Sequence, residues 1–346
     1  MTLPIHVALV GYGMAGKVFH APVIQAVPGL HLVTIQSSQP QKVHSDWPEV
    51  WVSPTFEEVI ESPQIDLVVI ATPNPTHYEL ARRALEAGKH VVVDKPFTLF
   101  AHEARALKEL AQAQGRVLAV FQNRRWDGDF MTLQKMVEAG TLGEVVYFES
   151  HFDRYRPVVQ NRWREQPGPG SGVWYDLGPH LADQALLLFG WPQALYADIG
   201  MQRYGAQADD YFHVLLRYPR LRVVLHASAL VPGGSPRFVV HGTQASLVHY
   251  GLDTQEKALR VGLRPGEPNW NPDRCEAWLH RPEQAPEPIV VEPGDYRRFY
   301  EGVRDAILGR GPNPVPPEQA VRLMELLEVA QKSALERREI ALGSEA

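Results

Sequence analysis

The chain is poor in cysteine, in long apolar runs and in surplus positive charge. Its single cysteine, Cys275, excludes an internal disulfide framework and any cysteine-rich zinc or iron–sulfur centre. No apolar run approaches the ~18 residues a membrane helix needs. The first residues carry no cationic stretch, so no signal peptide is expected. Asn74-Pro75-Thr76 has the proline that forbids glycosylation. Acidic residues outnumber basic ones, 40 to 34, whereas a general nucleic-acid binder needs a basic surface. The expectation is a reduced, cytoplasmic protein with neither membrane nor nucleic acid as partner.

What is present is ordinary globular material. The chain has 346 residues, 45% of them hydrophobic and 21% charged, enough for two substantial cores. The first 121 residues alternate short apolar runs (Ile5–Val10, Leu30–Ile35, Ile65–Ala71, His90–Val93, Val117–Phe121) with helical stretches at Lys17–Val27, Thr55–Ile60, Thr76–Ala87 and Ala101–Gln114. Gly88 and Gly115 suit helix C-caps, and Thr55 with Glu58 suits a capping box. Strand–helix–strand units in series predict a doubly wound parallel sheet.

Beyond residue 121 the pattern changes. A helix is expected over Asp129–Ala139, then an extended segment at Glu144–Phe152, a turn-rich loop at Arg154–Gly172 and an apolar helix at Leu181–Phe189. Strand-like runs follow at Leu195–Arg203, Tyr211–Tyr218, Leu221–Ala229 and Arg237–His241, joined by short turns, which predict an antiparallel sheet. Proline-rich Pro265–Pro293 reads as loop, and a helix from Pro317 to about Arg337 closes the chain. The predicted fold is α/β over 1–121 followed by α+β over 122–346.

Gly11-Tyr12-Gly13-Met14-Ala15-Gly16 forms G-x-G-x-x-G directly after the first strand. Gly11 suits the tight turn, Gly13 close approach to a pyrophosphate, and Gly16 close helix–strand packing. Gly11 to Lys17 also begins a P-loop pattern, but Val18 cannot offer the hydroxyl that holds magnesium. An NAD site commonly places a carboxylate about 20 residues on, to hold the ribose 2′-hydroxyl. Here the second strand ends Gln36-Ser37-Ser38-Gln39 and the first acid is Asp46. This favours NADP(H), with NAD(H) possible.

Two further turns follow strand ends, where open α/β sheets hold cofactors. One is Thr72-Pro73-Asn74-Pro75-Thr76-His77, which also suits the start of a helix, with His77 in a packing role. The other is Asp94-Lys95-Pro96. In the second half, Asp176 and His180 flank Leu177-Gly178-Pro179 at the expected start of the apolar helix. Such a pair can exchange a proton near neutrality, or serve as a capping aspartate and a packed histidine. No HExxH or comparable ligand set is present, so no metal is expected. Arg154-Tyr155-Arg156 and Arg162-Trp163-Arg164 suit a solvated or anion-facing loop. Gln122-Asn123-Arg124-Arg125-Trp126 sits where a cleft between the halves would be lined.

Together, the glycine loop, Ala71-Thr72-Pro73-Asn74, Asp94-Lys95-Pro96 and Asp176-Leu177-Gly178-Pro179-His180 resemble the Gfo/Idh/MocA family of NAD(P)-dependent oxidoreductases, over nearly the whole chain. The resemblance implies a Rossmann domain followed by an α+β domain with a large, mostly antiparallel sheet. It implies Lys95, Asp176 and His180 as catalytic residues meeting at the nicotinamide, and a cis peptide at Lys95–Pro96. It places the glycine loop, Ser37, Ser38, Thr72, Pro73, Asn74, His77, Asp94, Lys95, Pro96, Asn123, Trp163 and Arg164 at the cofactor. Asn123, Arg154, Tyr155, Asp176 and His180 fall at the substrate.

Within the family, Gly11–Pro22, Asn123–Asp127, Tyr155–Pro157 and Arg162–Glu165 resemble the NADP-dependent scyllo-inositol 2-dehydrogenase branch. Gln39 departs from it, standing where an arginine is usual. The expected activity is hydride transfer between NADP(H) and a secondary alcohol of a cyclitol or sugar, in a homodimer or homotetramer built through the C-terminal sheet. A non-catalytic dinucleotide sensor and an NAD-dependent glycosidase are the alternatives on the same fold.

Overall fold

The computed structural model describes residues 4–267, 270 and 276–343, so Cys275 lies outside the described residues. The chain forms two compact units. The first comprises Met1–Trp126, Thr254–Pro272 and Asp295–Met324; the second comprises Asp127–Asp253, Asp273–Gly294 and Glu325–Ala346. Each is therefore assembled from three separate segments.

The first unit is built on a six-stranded sheet: β1 (Ile5–Val10), β2 (Leu30–Gln36), β3 (Trp51–Ser53), β4 (Leu67–Ile70), β5 (His90–Asp94) and β6 (Leu118–Phe121). Every pairing is parallel and the order is β3-β2-β1-β4-β5-β6, which puts a topological switch point between β1 and β4. Leu67 to Ile70 and Val91 to Val93 are fully buried, as unbroken apolar runs in a doubly covered sheet should be.

The helices fall close to expectation. Thr55 Oγ1 accepts the Glu58 N–H at 3.4 Å, and Gly88 and Gly115 take φ of +73° and +60°. The stretch after the glycine loop is a π-helical turn, Gly16–His20, continued by an α-helix, Ala21–Gln25. Short β3 and the helices Pro40–Asp46, Gln255–Arg260 and Arg297–Ile307 were not anticipated, the first three because they are short, the last despite its apolar face of Phe299, Tyr300 and Val303.

The second unit carries a nine-stranded sheet. Its strands are β7 (Val145–His151), β8 (Ala194–Gly200), β9 (Tyr211–Arg217), β10 (Arg222–Ser228), β11 (Phe238–Gly242), β12 (Ser246–Tyr250), β13 (Glu276–His280), β14 (Glu287–Ile289) and β15 (Ile340–Ala341). The order is β14-β13-β12-β11-β7-β10-β9-β8-β15, with β7–β10 parallel and the other pairs antiparallel. β13 and β14 correct the reading of Pro265–Pro293 as loop: Ala277 and Leu279 alternate inward and pair with β12.

A second correction concerns the apolar helix. It runs Gly172–Phe189 and passes through Pro179 instead of beginning near it. Gly172, at φ +84°, leaves room for Asp209, whose carboxylate a Cβ would meet at 1.9 Å. Asp209 accepts the Trp174 N–H at 2.7 Å, so the helix is capped nine residues before Leu181, its expected start. Gly178 is required too, because a Cβ there would stand 2.5 Å from the Trp174 ring. Both glycines are here packing residues. Among the described residues no helix is long and apolar enough to cross a membrane.

Candidate active site

The glycine loop follows β1. Gly11 takes φ +96° with the Ala71 carbonyl 2.7 Å from where a Cβ would stand; at Gly16 the Gly11 carbonyl would lie 2.1 Å away. Around Gly13 there is open space, with no described atom within 4 Å of a Cβ. Two of the three glycines thus permit close packing and the third leaves a free approach. This is the cradle a pyrophosphate requires at a helix start, so the residues present fit a dinucleotide. Met14 is exposed beside it.

The 2′-hydroxyl region lies at the end of β2. Ser37 Oγ accepts the Gln39 N–H at 3.1 Å. The first acid after the strand, Asp46, is engaged by Lys17 at 2.7 Å and by the Tyr12 hydroxyl at 2.8 Å. Burial would raise its carboxyl, but Lys17, Tyr12 and Lys42 hold it below the ordinary value. Tyr12 is itself buried, so its side chain serves Asp46 while its backbone shapes the loop. Lys42 donates to the Tyr12 carbonyl at 3.2 Å, and Arg264 stacks on Trp47 at 4.7 Å. The sequence pattern missed both cations: Lys42 sits on an unanticipated helix, and Arg264 is far away in the chain.

The turns after β4 and β5 are tied together by His77. It is buried, with Nδ1 2.8 Å from the Pro96 carbonyl and Nε2 2.9 Å from the Thr72 carbonyl. Burial holds its pKa below the ordinary value against the pull of Asp94 and of these carbonyls. The structure thus gives His77 the packing role. Thr72 and Thr76 share a hydroxyl contact of 2.6 Å, and Asn74 is buried between them in sequence. Lys95 follows β5, and its peptide to Pro96 is cis. Its backbone N–H donates to Asp94 Oδ1 at 2.8 Å.

Asn123 is buried in a single helical turn after β6. The neighbouring arginines are buried as well. Arg124 pairs with Glu256 at 2.7 Å and Arg125 with Gln319 at 2.8 Å, joining distant segments of the first unit.

In the second unit, Asp176 and His180 lie one turn apart on the helix Gly172–Phe189 and so share a face. His180 is 6% exposed, and Asp176 Oδ1 lies 3.6 Å from Arg164 Nε. Arg164 stacks on Trp163 at 4.9 Å in a short turn whose rings stay accessible. Arg154 covers Phe152, and Tyr155 is exposed.

A separate cluster was not anticipated. His151 on β7 places Nδ1 3.1 Å from Asp153 and Nε2 3.0 Å from Glu149. His226 on β10 approaches Asp153 at 3.5 Å. Burial disfavours charge on His151, but the two carboxylates prevail and push its pKa up to about 9. Burial lowers that of His226. With both His151 nitrogens committed to carboxylates, the group is an imidazolium bridging two acids.

This combination of doubly wound sheet, glycine cradle and strand-end lysine defines a dinucleotide-binding oxidoreductase class. Residues 5–122 match the NAD-binding Rossmann fold of the GFO/IDH/MocA oxidoreductase family, and residues 134–342 match its C-terminal alpha/beta domain. The chain belongs to this family. It is 52% identical to the Escherichia coli (strain K12) oxidoreductase YdgJ, over 98% of this chain and 99% of that one. It is 37% identical to scyllo-inositol 2-dehydrogenase (NADP(+)) IolW of Bacillus subtilis (strain 168), over 98% and 96%. The solved structure of the YPO2259 oxidoreductase from Yersinia pestis superposes with a TM-score of 0.95 at 49% identity, covering 100% and 99% of the two chains.

Proposed function

We propose that the protein transfers hydride reversibly between NADP(H) and a secondary alcohol of a cyclitol or sugar, of which scyllo-inositol and scyllo-inosose are the leading pair. The observation that carries this reading is the Lys95 turn: a lysine at the carboxyl end of β5, anchored through its own N–H to a largely buried carboxylate. The Asp176–His180 pair on one helix face supports it. The relative IolW, by its name, acts on scyllo-inositol with NADP(+).

Bound nicotinamide would supply or accept the hydride. In this reading His180 takes the hydroxyl proton, Asp176 orients the imidazole, and Lys95 stabilises charge developing on the alkoxide oxygen. Ser37 and Ser38, with Lys42 on the helix that follows and Asp46 already paired, favour a 2′-phosphate over a 2′-hydroxyl. Asn123, Arg154 and Tyr155 are the proposed polyol contacts, with Trp163 and Arg164 toward the cofactor. Self-association through the nine-stranded sheet completes the proposal.

The test mixes protein, NADPH and scyllo-inosose and follows loss of reduced-nicotinamide absorbance. Turnover is expected, and His180→Ala and Lys95→Ala should each lower it by ~100-fold or more. Near-normal rates in both variants would refute the assigned roles. Tight NADPH binding without turnover on any polyol would favour a sensor instead.

A further inference from the structure

Asp94, which precedes Lys95, ends a buried polar chain that the proposed chemistry leaves unused. Tyr300 Oη lies 2.6 Å from His20 Nδ1, and His20 Nε2 faces Asp94 Oδ1 at 3.8 Å. The same Oδ1 accepts the Lys95 backbone N–H at 2.8 Å. His20 and Tyr300 are both fully buried. Their positions are separated by 280 residues in the sequence.

The protons can be placed. Burial, reinforced by Asp94, raises the Tyr300 phenol well above its ordinary value, so the hydroxyl keeps its proton; with the Asp94 carboxylate facing Nε2, the favourable arrangement has Tyr300 donate to Nδ1. His20 then carries its ring hydrogen on Nε2, which has no other hydrogen-bond partner among the described residues. The 3.8 Å contact is about an ångström longer than a good N–H···O bond, so it acts mainly as a dipole aimed at the carboxylate. Burial alone would raise Asp94; the His20 contact and the nearby Lys95 charge bring it below the ordinary value instead. His20, His77, Lys95 and Tyr300 are the titratable groups facing this carboxylate.

We propose that His20 is a positioning residue: held by Tyr300, it fixes the Asp94 carboxylate, whose Oδ1 holds the Lys95 backbone N–H, and so sets the placing of the Lys95 turn and the field at its ammonium. The proposal rests on the reading of Lys95 as the electrostatic group of the reaction.

Two measurements test it. In the NADPH–scyllo-inosose assay, His20→Leu should lower kcat about threefold to tenfold, less than the loss of a full hydrogen bond to a charged group. The NADPH Kd, from quenching or enhancement of its fluorescence, should stay within about threefold of wild type. His20→Gln, which can present an N–H near the Nε2 position, should restore most of kcat. His20→Leu combined with Asp94→Asn should be no worse than Asp94→Asn alone, because both act through one carboxylate.

The second measurement needs no turnover. The pH dependence of Lys95 acetylation by acetic anhydride, read by peptide mass spectrometry, should give an amine pKa about one unit lower in His20→Leu but not in His20→Gln. Tyr300→Phe should shift both readouts in the same direction by less, and it serves if His20→Leu does not fold. Unchanged Lys95 labelling in His20→Leu or Tyr300→Phe overturns the proposal, as does an additive double variant. Full turnover in Lys95→Met would instead overturn the role of Lys95, with the labelling still deciding whether His20 governs its charge.

Discussion

Gly16 and Gly13 look interchangeable in the motif, but their surroundings separate them. A methyl on Gly16 would be driven into the Gly11 carbonyl, whereas one on Gly13 meets no described atom. Gly16→Ala should therefore cost stability, about 1–3 kcal/mol for forced overpacking, and lower the melting temperature without ligand. Gly13→Ala should melt like wild type yet bind NADPH at least ~10-fold more weakly, because the methyl occupies the approach to the phosphates. Paired thermal melts and fluorescence titrations separate the two effects; equal melting temperatures would contradict the packing argument. At this scale the sequence was most legible where one residue type answers one local demand, as at Gly11 and Gly16. It was silent on His20, Lys42 and Arg264, whose roles come from partners brought together only by folding.

At the scale of elements, strands buried on both faces announced themselves by unbroken apolar runs, and helices by their caps. The helix Gly172–Phe189 was misjudged because Gly172 and Gly178 answer to Asp209 and Trp174, not to helix propensity. The β7–β10 pairing was illegible for a different reason. A parallel neighbour leaves no hairpin signal, yet this pairing sets His151 opposite His226. It has a consequence for pH. The His151 pKa is raised in the folded state, from 6.5 to about 9, by its two carboxylate partners. Its contribution to stability is complete below the unfolded value near 6.5 and is lost as pH rises through about 9. Wild type should lose up to about 3 kcal/mol over that interval from this group, and His151→Gln should lose markedly less. Urea melts at pH 6 and pH 10, compared between the two proteins, check the sign; parallel losses would remove His151 as the cause.

For the whole molecule, the strand order of the nine-stranded sheet could not be read from the chain, since short turns fix neighbours but not the order of all nine. That order lines up one lateral row across the sheet: Tyr196, Leu215, Val224, Glu149, Val239, Val248 and Trp278. These residues face away from the helix Gly172–Phe189, which covers the opposite face through contacts such as Trp174 on Phe212. Apart from Glu149 the row is apolar or aromatic, and Tyr196, Leu215, Val239, Val248 and Trp278 keep part of their surface open within the unit. An apolar stripe of this length on a sheet face favours burial against another copy, since an identical stripe presents the same shape and no net charge beyond Glu149. Light scattering after gel filtration should therefore give a dimer or tetramer. Leu215→Arg and Val239→Arg should each shift the mass toward the monomer while far-ultraviolet dichroism stays unchanged, because a buried unpaired charge at the centre of a two-fold contact is costly on both copies. A wild-type mass equal to one chain would refute the stripe as an interface. An oligomer indifferent to both arginines would move the contact to another surface.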